Sequence, residues 1–353
     1  MHMVGRFVAV LGLVLLAAGT IVGINVLRLS SRQMAVAPAP ALAVDEAAAA
    51  QRLATAVSIR TISFSPALAP AAEEFRKLHA HLAAAFPKAH GVLKREIVAG
   101  LSLLYTWEGT DAGAKPVLFM AHQDTVPIAP GTEGDWTHPP FSGEIRDGYV
   151  WGRRAWDDKG NLMAMLEAVE MLVAQGYRPK QTVMFAFGHD EELSGRVGAA
   201  GIAALFKARG VQFDFVLDEG MLITEGLMPG LEKPSALIGI AEKGFLTLEL
   251  KSKAVPGHSS MPPQQTAIGT LARGLAALEA NPMPAAISAV PREMFQALAP
   301  EMSGMMRVLL SNLWLTEPLL RRELEKKGSS NAMVRTTTAL TVVQGGDKEN
   351  VLP

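Results

Sequence analysis

Three apolar runs of strand length in this chain each end in acids or a histidine. "PVLFMA" (116–121) runs into His122 and Asp124, "TVMFAFG" (182–188) into Glu191 and Glu192, and 213–217 into Asp218 and Glu219. A continuous apolar run bounded by polar residues predicts a strand covered on both faces. Helical patterns over 159–176 and 195–208 separate these runs, so the chain reads as an α/β layered fold with a largely parallel sheet. Ligands in such sheets bind outside the carboxyl ends of the strands. The acids therefore end strands because the strands deliver them to one crevice. A fourth acidic pair, Asp157 and Asp158 in "WDDKG", opens the helix over 159–176.

A single acid after a strand is ordinarily a helix cap or a solvated loop residue. Four such clusters between 122 and 219 are harder to explain that way. Gathered carboxylates repel one another unless protonated or bridged by cations, and a divalent metal is the economical bridge. The chain has no cysteine, which leaves His, Asp and Glu as the strong ligands. In extended backbone His122 and Asp124 point to the same side, so Asp124 can hold the imidazole ring. In "DEE", Glu192 is placed to bind metal and Glu191 to take a proton from water. The alternative for that pair is a charged helix N-terminus favoured by the macrodipole.

The 353 residues suffice for two domains, and a net charge of −1 gives no hint of nucleic acid. Phe7–Leu27 carries no charge and is flanked by Arg6, Arg28 and Arg32. It is long enough to span a bilayer core. Residues 1–33 are thus expected to be a membrane anchor or a signal segment. The anchor is favoured, because the small-residue stretch "APALA" (39–43) lies too far downstream for a cleavage site. An Ala/Pro linker (34–44) leads into an α/β region, 45–239, with further helices over 46–57 and 68–85, strands over 94–106 and 149–152, and a Pro/Gly-rich loop, 127–143. From 240 to 353 the pattern becomes that of a smaller α+β domain. It has strands over 245–250 and 336–343, a helix over 265–280 and a helical stretch over 291–327.

The ordered motifs "HQD", "GRxAxDDKG", "DEE", "DEG", "PGHSSMPP" and "GGxxxNVxP" resemble those of the co-catalytic zinc peptidases and amidohydrolases of the aminoacylase and carboxypeptidase S family. The resemblance covers 45–353. It is strongest to the carboxypeptidase S and N-fatty-acyl-amino-acid hydrolase branch. It implies a three-layer αβα catalytic domain with an inserted α+β lid of the dimerisation type, and two Zn2+ per site. It implies hydrolysis of an amide bond beside a free carboxylate, in an N-acyl amino acid or a short peptide. By the same resemblance His122 binds zinc with Asp124 orienting it, Asp157 bridges both ions, Glu192 binds the second and Glu191 is the general base. Asp218 completes the first zinc, with Glu219 as the alternative ligand. His258 polarises the scissile carbonyl, on the neighbouring subunit's site in dimeric relatives, and Asn350 contacts substrate. His2, His79, His81, His90 and His138 match no ligand motif and read as surface or structural, with His189 a spacer.

Two departures stand out. Arg154 replaces the glycine of the family's "GRGA", which adds bulk beside Asp157 and removes easy access to positive φ. The family's last zinc-binding histidine lies beyond the lid, past Pro353. The expectation is therefore a C-terminally truncated chain. Its intact form is a membrane-anchored, extracytoplasmic hydrolase, and the alternative is an inactive fragment that at most binds a ligand or partner.

Overall fold

The computed structural model describes residues 2–64 and 71–353, with side chains of the first helix from Val4 on. That helix, α1 (His2–Arg28), is long and apolar enough to cross a membrane. The chain forms two compact units, one of residues 38–220 and one of residues 1–37 with 221–353.

The 38–220 unit begins with α2 (Glu46–Ser58), whose N-cap Asp45 accepts from the Ala48 amide at 3.0 Å. Helix α3 (Ala72–Ala85) follows; residues 68–70 of the expected helix lie outside the described residues. Helix α4 (Pro87–Val92) starts on a proline, whose missing N–H is no loss in a first turn. Strands β1 (Lys94–Val98) and β2 (Ser102–Trp107) form a hairpin. It turns on Ala99 and Gly100, with φ of 49° and 86°, the paired positive values of a type I′ turn. Next come β3 (Val117–His122) and a second hairpin, β4 (Glu144–Arg146) and β5 (Tyr149–Trp151), turning on Asp147–Gly148. Helix α5 (Lys159–Ala174), β6 (Val183–Gly188), α6 (Gly198–Ala208) and the short β7 (Val216–Leu217) complete the unit.

The main sheet has the order β1-β2-β6-β3-β7. Strands β6, β3 and β7 are parallel, while β1 and β2 run antiparallel to their neighbours. The sheet is therefore mixed rather than largely parallel, because the tight turn at Ala99–Gly100 reverses the chain where a helical crossover would have kept its direction. Both faces are covered. Leu103, Tyr105, Phe185 and Phe187 pack with Leu78, Leu82, Leu162 and Leu166, while Leu104, Leu118, Met184 and Ala186 pack with Ile202 and Phe206. Alternate residues of β2 and β6 thus serve opposite faces, as the strand period requires. Each buried leucine or phenylalanine contributes about 1.5–3 kcal/mol of burial free energy.

The other unit holds α1 and two small ladders, β8 (Ile223–Thr224) with β9 (Ser235–Ala236) and β10 (Gly257–His258) with β11 (Val351–Leu352). Its helices are α7 (Ala267–Ala280), α8 (Ala289–Leu298), α9 (Gly304–Ser311), α10 (Leu313–Leu324) and α11 (Gly328–Val334). The stretch expected as helical over 291–327 is broken at Ala299–Glu301 and again at Asn312. Phe295, Met302, Leu310, Leu313 and Leu320 form its core. Asn25 of α1 donates to Asn312 Oδ1 at 2.9 Å. The strands expected over 245–250 and 336–343 do not form: among the described residues neither stretch pairs with another segment, and Phe245 and Val342 are 84% and 77% exposed. Alternation fits a pleated surface, but a strand exists only where a partner satisfies its backbone.

Candidate metal centre

Parallel pairing places three strand ends side by side. In the ladders His122 lies opposite Gly188, and Phe119 opposite Leu217. The residues following β3, β6 and β7 therefore leave the sheet at the same edge. His122 and Asp124 are both buried there. Gln123 between them points the other way, donating to the carbonyls of Leu101 and Phe187 at 3.1 and 2.8 Å and meeting His79 at 2.7 Å. This lock on the strand end went unrecognised in the sequence. The signal for it was a polar residue on the core-facing phase of an apolar strand.

Asp124 serves two groups. Its Oδ1 lies 3.2 Å from His122 Nδ1, and its two oxygens accept from the backbone amides of Glu191 and Glu192 at 3.1 and 3.2 Å. One carboxylate thus orients the imidazole and fixes the turn carrying both glutamates. Behind that turn Asp190 accepts from the amides of Val197 and Gly198 at 2.8 Å, starting α6.

The other ring nitrogen of His122 faces the acids. Nε2 lies 3.0 Å from Asp157 Oδ1, 3.5 Å from Glu219 Oε1 and 3.8 Å from Glu191 Oε2. The peptide between Asp157 and Asp158 is cis. Asp158 is buried, accepting from the His122 amide at 3.0 Å and from Asn161 Nδ2 at 2.5 Å. Two triads each offer ligand atoms within 4.8 Å of one another: His122 with Asp157 and Glu192, and His122 with Asp158 and Glu219. Asp218 belongs to neither; it is exposed and accepts from the Glu219 amide at 3.0 Å. Arg154 pairs with both Asp157, at 2.8 Å, and Glu192.

The crowding is visible in the protonation equilibria. Burial, with Asp158 and other acids nearby, pushes Glu219 up to about 7, and burial pushes Asp158 up to about 6. Burial also raises Glu191. Burial opposes charge on His122, but its hydrogen bond to Asp124 and the surrounding acids outweigh that and hold it at about 9. Without metal, a proton on the imidazole, the Arg154 guanidinium and partial protonation of Glu219 do the neutralising. A divalent ion would take over that role, and one imidazole with several carboxylate oxygens is a donor set suited to zinc. Asp124 on Nδ1 leaves Nε2 as the ligating nitrogen.

His258 and Asn350 belong to the other unit. The β10–β11 ladder sets His258 opposite Val351, and the Asn350 carbonyl accepts from the Ser259 amide at 3.1 Å. His258 is exposed, its Nδ1 2.8 Å from Ser260 Oγ. Among the unassigned histidines, His79 and His189 are buried, His189 lying 2.7 Å from Ser102 Oγ, and His90 bridges Phe86 and Tyr105. The side chain of His2 lies outside the described residues.

A mixed α/β sheet that gathers one histidine and several carboxylates at its parallel strand ends defines an α/β protein with a candidate divalent-metal centre. The chain belongs to peptidase family M20/M25/M40, whose family model matches residues 118–334. It is 46% identical to the probable carboxypeptidase S-like 2 of Dictyostelium discoideum over 308 residues, 86% of this chain and 59% of that protein. It is 44% identical to the N-fatty-acyl-amino acid synthase/hydrolase of Mus musculus over 312 residues, 86% of this chain and 60% of that protein. Carboxypeptidase S of Saccharomyces cerevisiae is 35% identical over 323 residues, 86% and 55% of the respective lengths. The chain spans little more than half the length of these curated relatives.

Proposed function

We propose that this protein is a metal-dependent hydrolase of amide bonds adjacent to a free carboxylate, acting on N-acyl amino acids or on the C-terminal residue of short peptides. The observation that carries the reading is the gathering of Asp157, Glu219 and Glu191 within 3.0–3.8 Å of His122 Nε2. The relatives' names, carboxypeptidase S and N-fatty-acyl-amino acid synthase/hydrolase, supply the substrate class. The fold we infer is a three-layer αβα catalytic domain with an inserted lid that serves as a dimer interface. Helix α1 acts as the membrane anchor, with the catalytic region extracytoplasmic.

His122, Asp157, Glu192 and one acid of the Asp218–Glu219 pair would hold two Zn2+, and the geometry favours Glu219 within that pair. Bound zinc supplies Lewis acidity and lowers the pKa of water. Asp124 keeps the His122 ring in its ligating tautomer. Glu191 belongs to neither triad and is half exposed, so its carboxylate is free to take a proton from the attacking water and pass it to the leaving nitrogen. Burial raises its pKa, which makes the carboxylate a stronger base. His258 would donate to the carbonyl oxygen as negative charge develops there, and Asn350 would contact the substrate.

The test is amino-acid release from N-acyl amino acids and from dipeptides by the zinc-supplemented protein, with Glu191→Ala as control. The expected result is hydrolysis of one class and a loss on the order of 10²–10⁴-fold in kcat for the variant. Release that persists at the wild-type rate in Glu191→Ala would sink the assignment of the base.

A further inference from the structure

Arg154 does more than fill the place of a small residue. Its φ is +73°, a left-handed backbone that favours glycine, and its side chain is only 4% exposed. The guanidinium reaches into the acidic cluster. Nη1 lies 2.8 Å from Asp157 Oδ1 and 2.7 Å from the Asp157 carbonyl, and Nη2 pairs with Glu192. These are the two carboxylates of the triad completed by His122. Among the described residues the buried Nε has no hydrogen-bond partner, so the head group is held by the two acids and the Asp157 carbonyl.

We propose that Arg154 is an internal counter-ion that occupies the Asp157–Glu192 half of the metal centre, so that a divalent cation enters that half only by displacing it. The inference rests on the metal-centre reading above. A guanidinium and a divalent ion cannot share two carboxylates without mutual repulsion. Displacing the guanidinium would strand a buried charge whose Nε already lacks a partner, which opposes metal entry further. The other triad, His122 with Asp158 and Glu219, has no arginine paired to its carboxylates among the described residues and fills first. Arginine suits the role because its planar fork spans two carboxylates and stays charged at any working pH.

The experiment strips the full chain with a chelator and titrates it with Zn2+ alone by calorimetry, then counts retained zinc by elemental analysis after desalting. Wild type is compared with Arg154→Gly, which relaxes the backbone, and with Arg154→Asn, which tolerates the left-handed conformation and removes the charge. In the titration wild type is expected to take up about one equivalent and both variants a second, weaker one on Asp157 and Glu192, about two in all as in a two-metal site, the two triads sharing the single His122 Nε2. Equal stoichiometry and affinity in all three proteins overturns the inference and leaves the metal centre standing. If none of the three takes up zinc, the metal-centre reading fails and the inference with it. Should one variant not fold, the other carries the comparison.

Discussion

At the residue scale, Asp124 ties the two functions of the centre together, since one carboxylate touches His122 and the amides of Glu191 and Glu192. Asp124→Asn preserves the shape and removes the charge. With its largest supporting interaction gone, the His122 pKa is expected to fall from about 9, as read by NMR titration of the metal-free protein. Zinc affinity is expected to drop by about 10–100-fold, the usual effect of losing a ligand's hydrogen-bond partner. The acids after β7 offer a second contrast. The family pattern alone favours Asp218, whereas Glu219 is the one that reaches His122. Glu219→Gln should lower zinc affinity at least about tenfold, one lost charge-assisted contact, and Asp218→Asn should leave it nearly unchanged. Calorimetric titration of the two variants decides between them. Sequence could name both acids, but not which one turns inward, because β7 is only two residues long and leaves the register loosely set.

At the scale of elements, what the sequence disclosed follows from how local each signal is. Strands β3 and β6 were legible because apolar runs of that length bury both faces, and α5 because a strong period follows an acidic start. The order of the sheet was not legible, since the turn at Ala99–Gly100 decides direction and pairing partners lie far apart in sequence. The expected strands over 245–250 and 336–343 failed for the same reason. Lys159 shows a third kind of hidden signal. It reads as a charged first-turn residue, yet it is buried and donates to the carbonyls of Ala56 and Ile59 at 2.8 and 2.6 Å, tying α5 to the end of α2. Burial, with Arg154 nearby, pulls its pKa down to about 7. Lys159→Met fills similar volume but leaves both carbonyls without that donor. The expected loss is about 1–3 kcal/mol in urea denaturation of the metal-free protein, the range for removing a buried hydrogen-bond partner. A change below the error of the measurement would mean that the two carbonyls find other donors.

At the scale of the whole molecule, the acid cluster places site chemistry against stability. In the metal-free protein Glu219 titrates near 7, above its unfolded value of 4.5. A group raised on folding contributes stability that is complete below the unfolded pKa and is lost as pH rises through the folded one. Glu219 therefore favours the folded state at pH 4 and ceases to do so by pH 8. The buried His79 and His189 and the half-buried His81 and His90 work in the opposite sense, because desolvation lowers each of them. The raw pH profile mixes both, so the informative quantity is a difference between proteins that share those histidines. Glu219→Gln mimics the protonated acid at every pH. Without metal its advantage over wild type should be small at pH 5 and grow at pH 8 to on the order of 1–3 kcal/mol, after allowance for partial solvent screening. Saturating zinc should reverse the ranking at pH 8, because the ion stabilises the protein that binds it more tightly. Thermal melts of both proteins at pH 5 and 8, with chelator and with zinc, read all four comparisons. A variant no more stable than wild type at pH 8 in chelator would mean that the carboxylates are too well solvated to repel one another, and the main physical ground for a cation at this site would be gone.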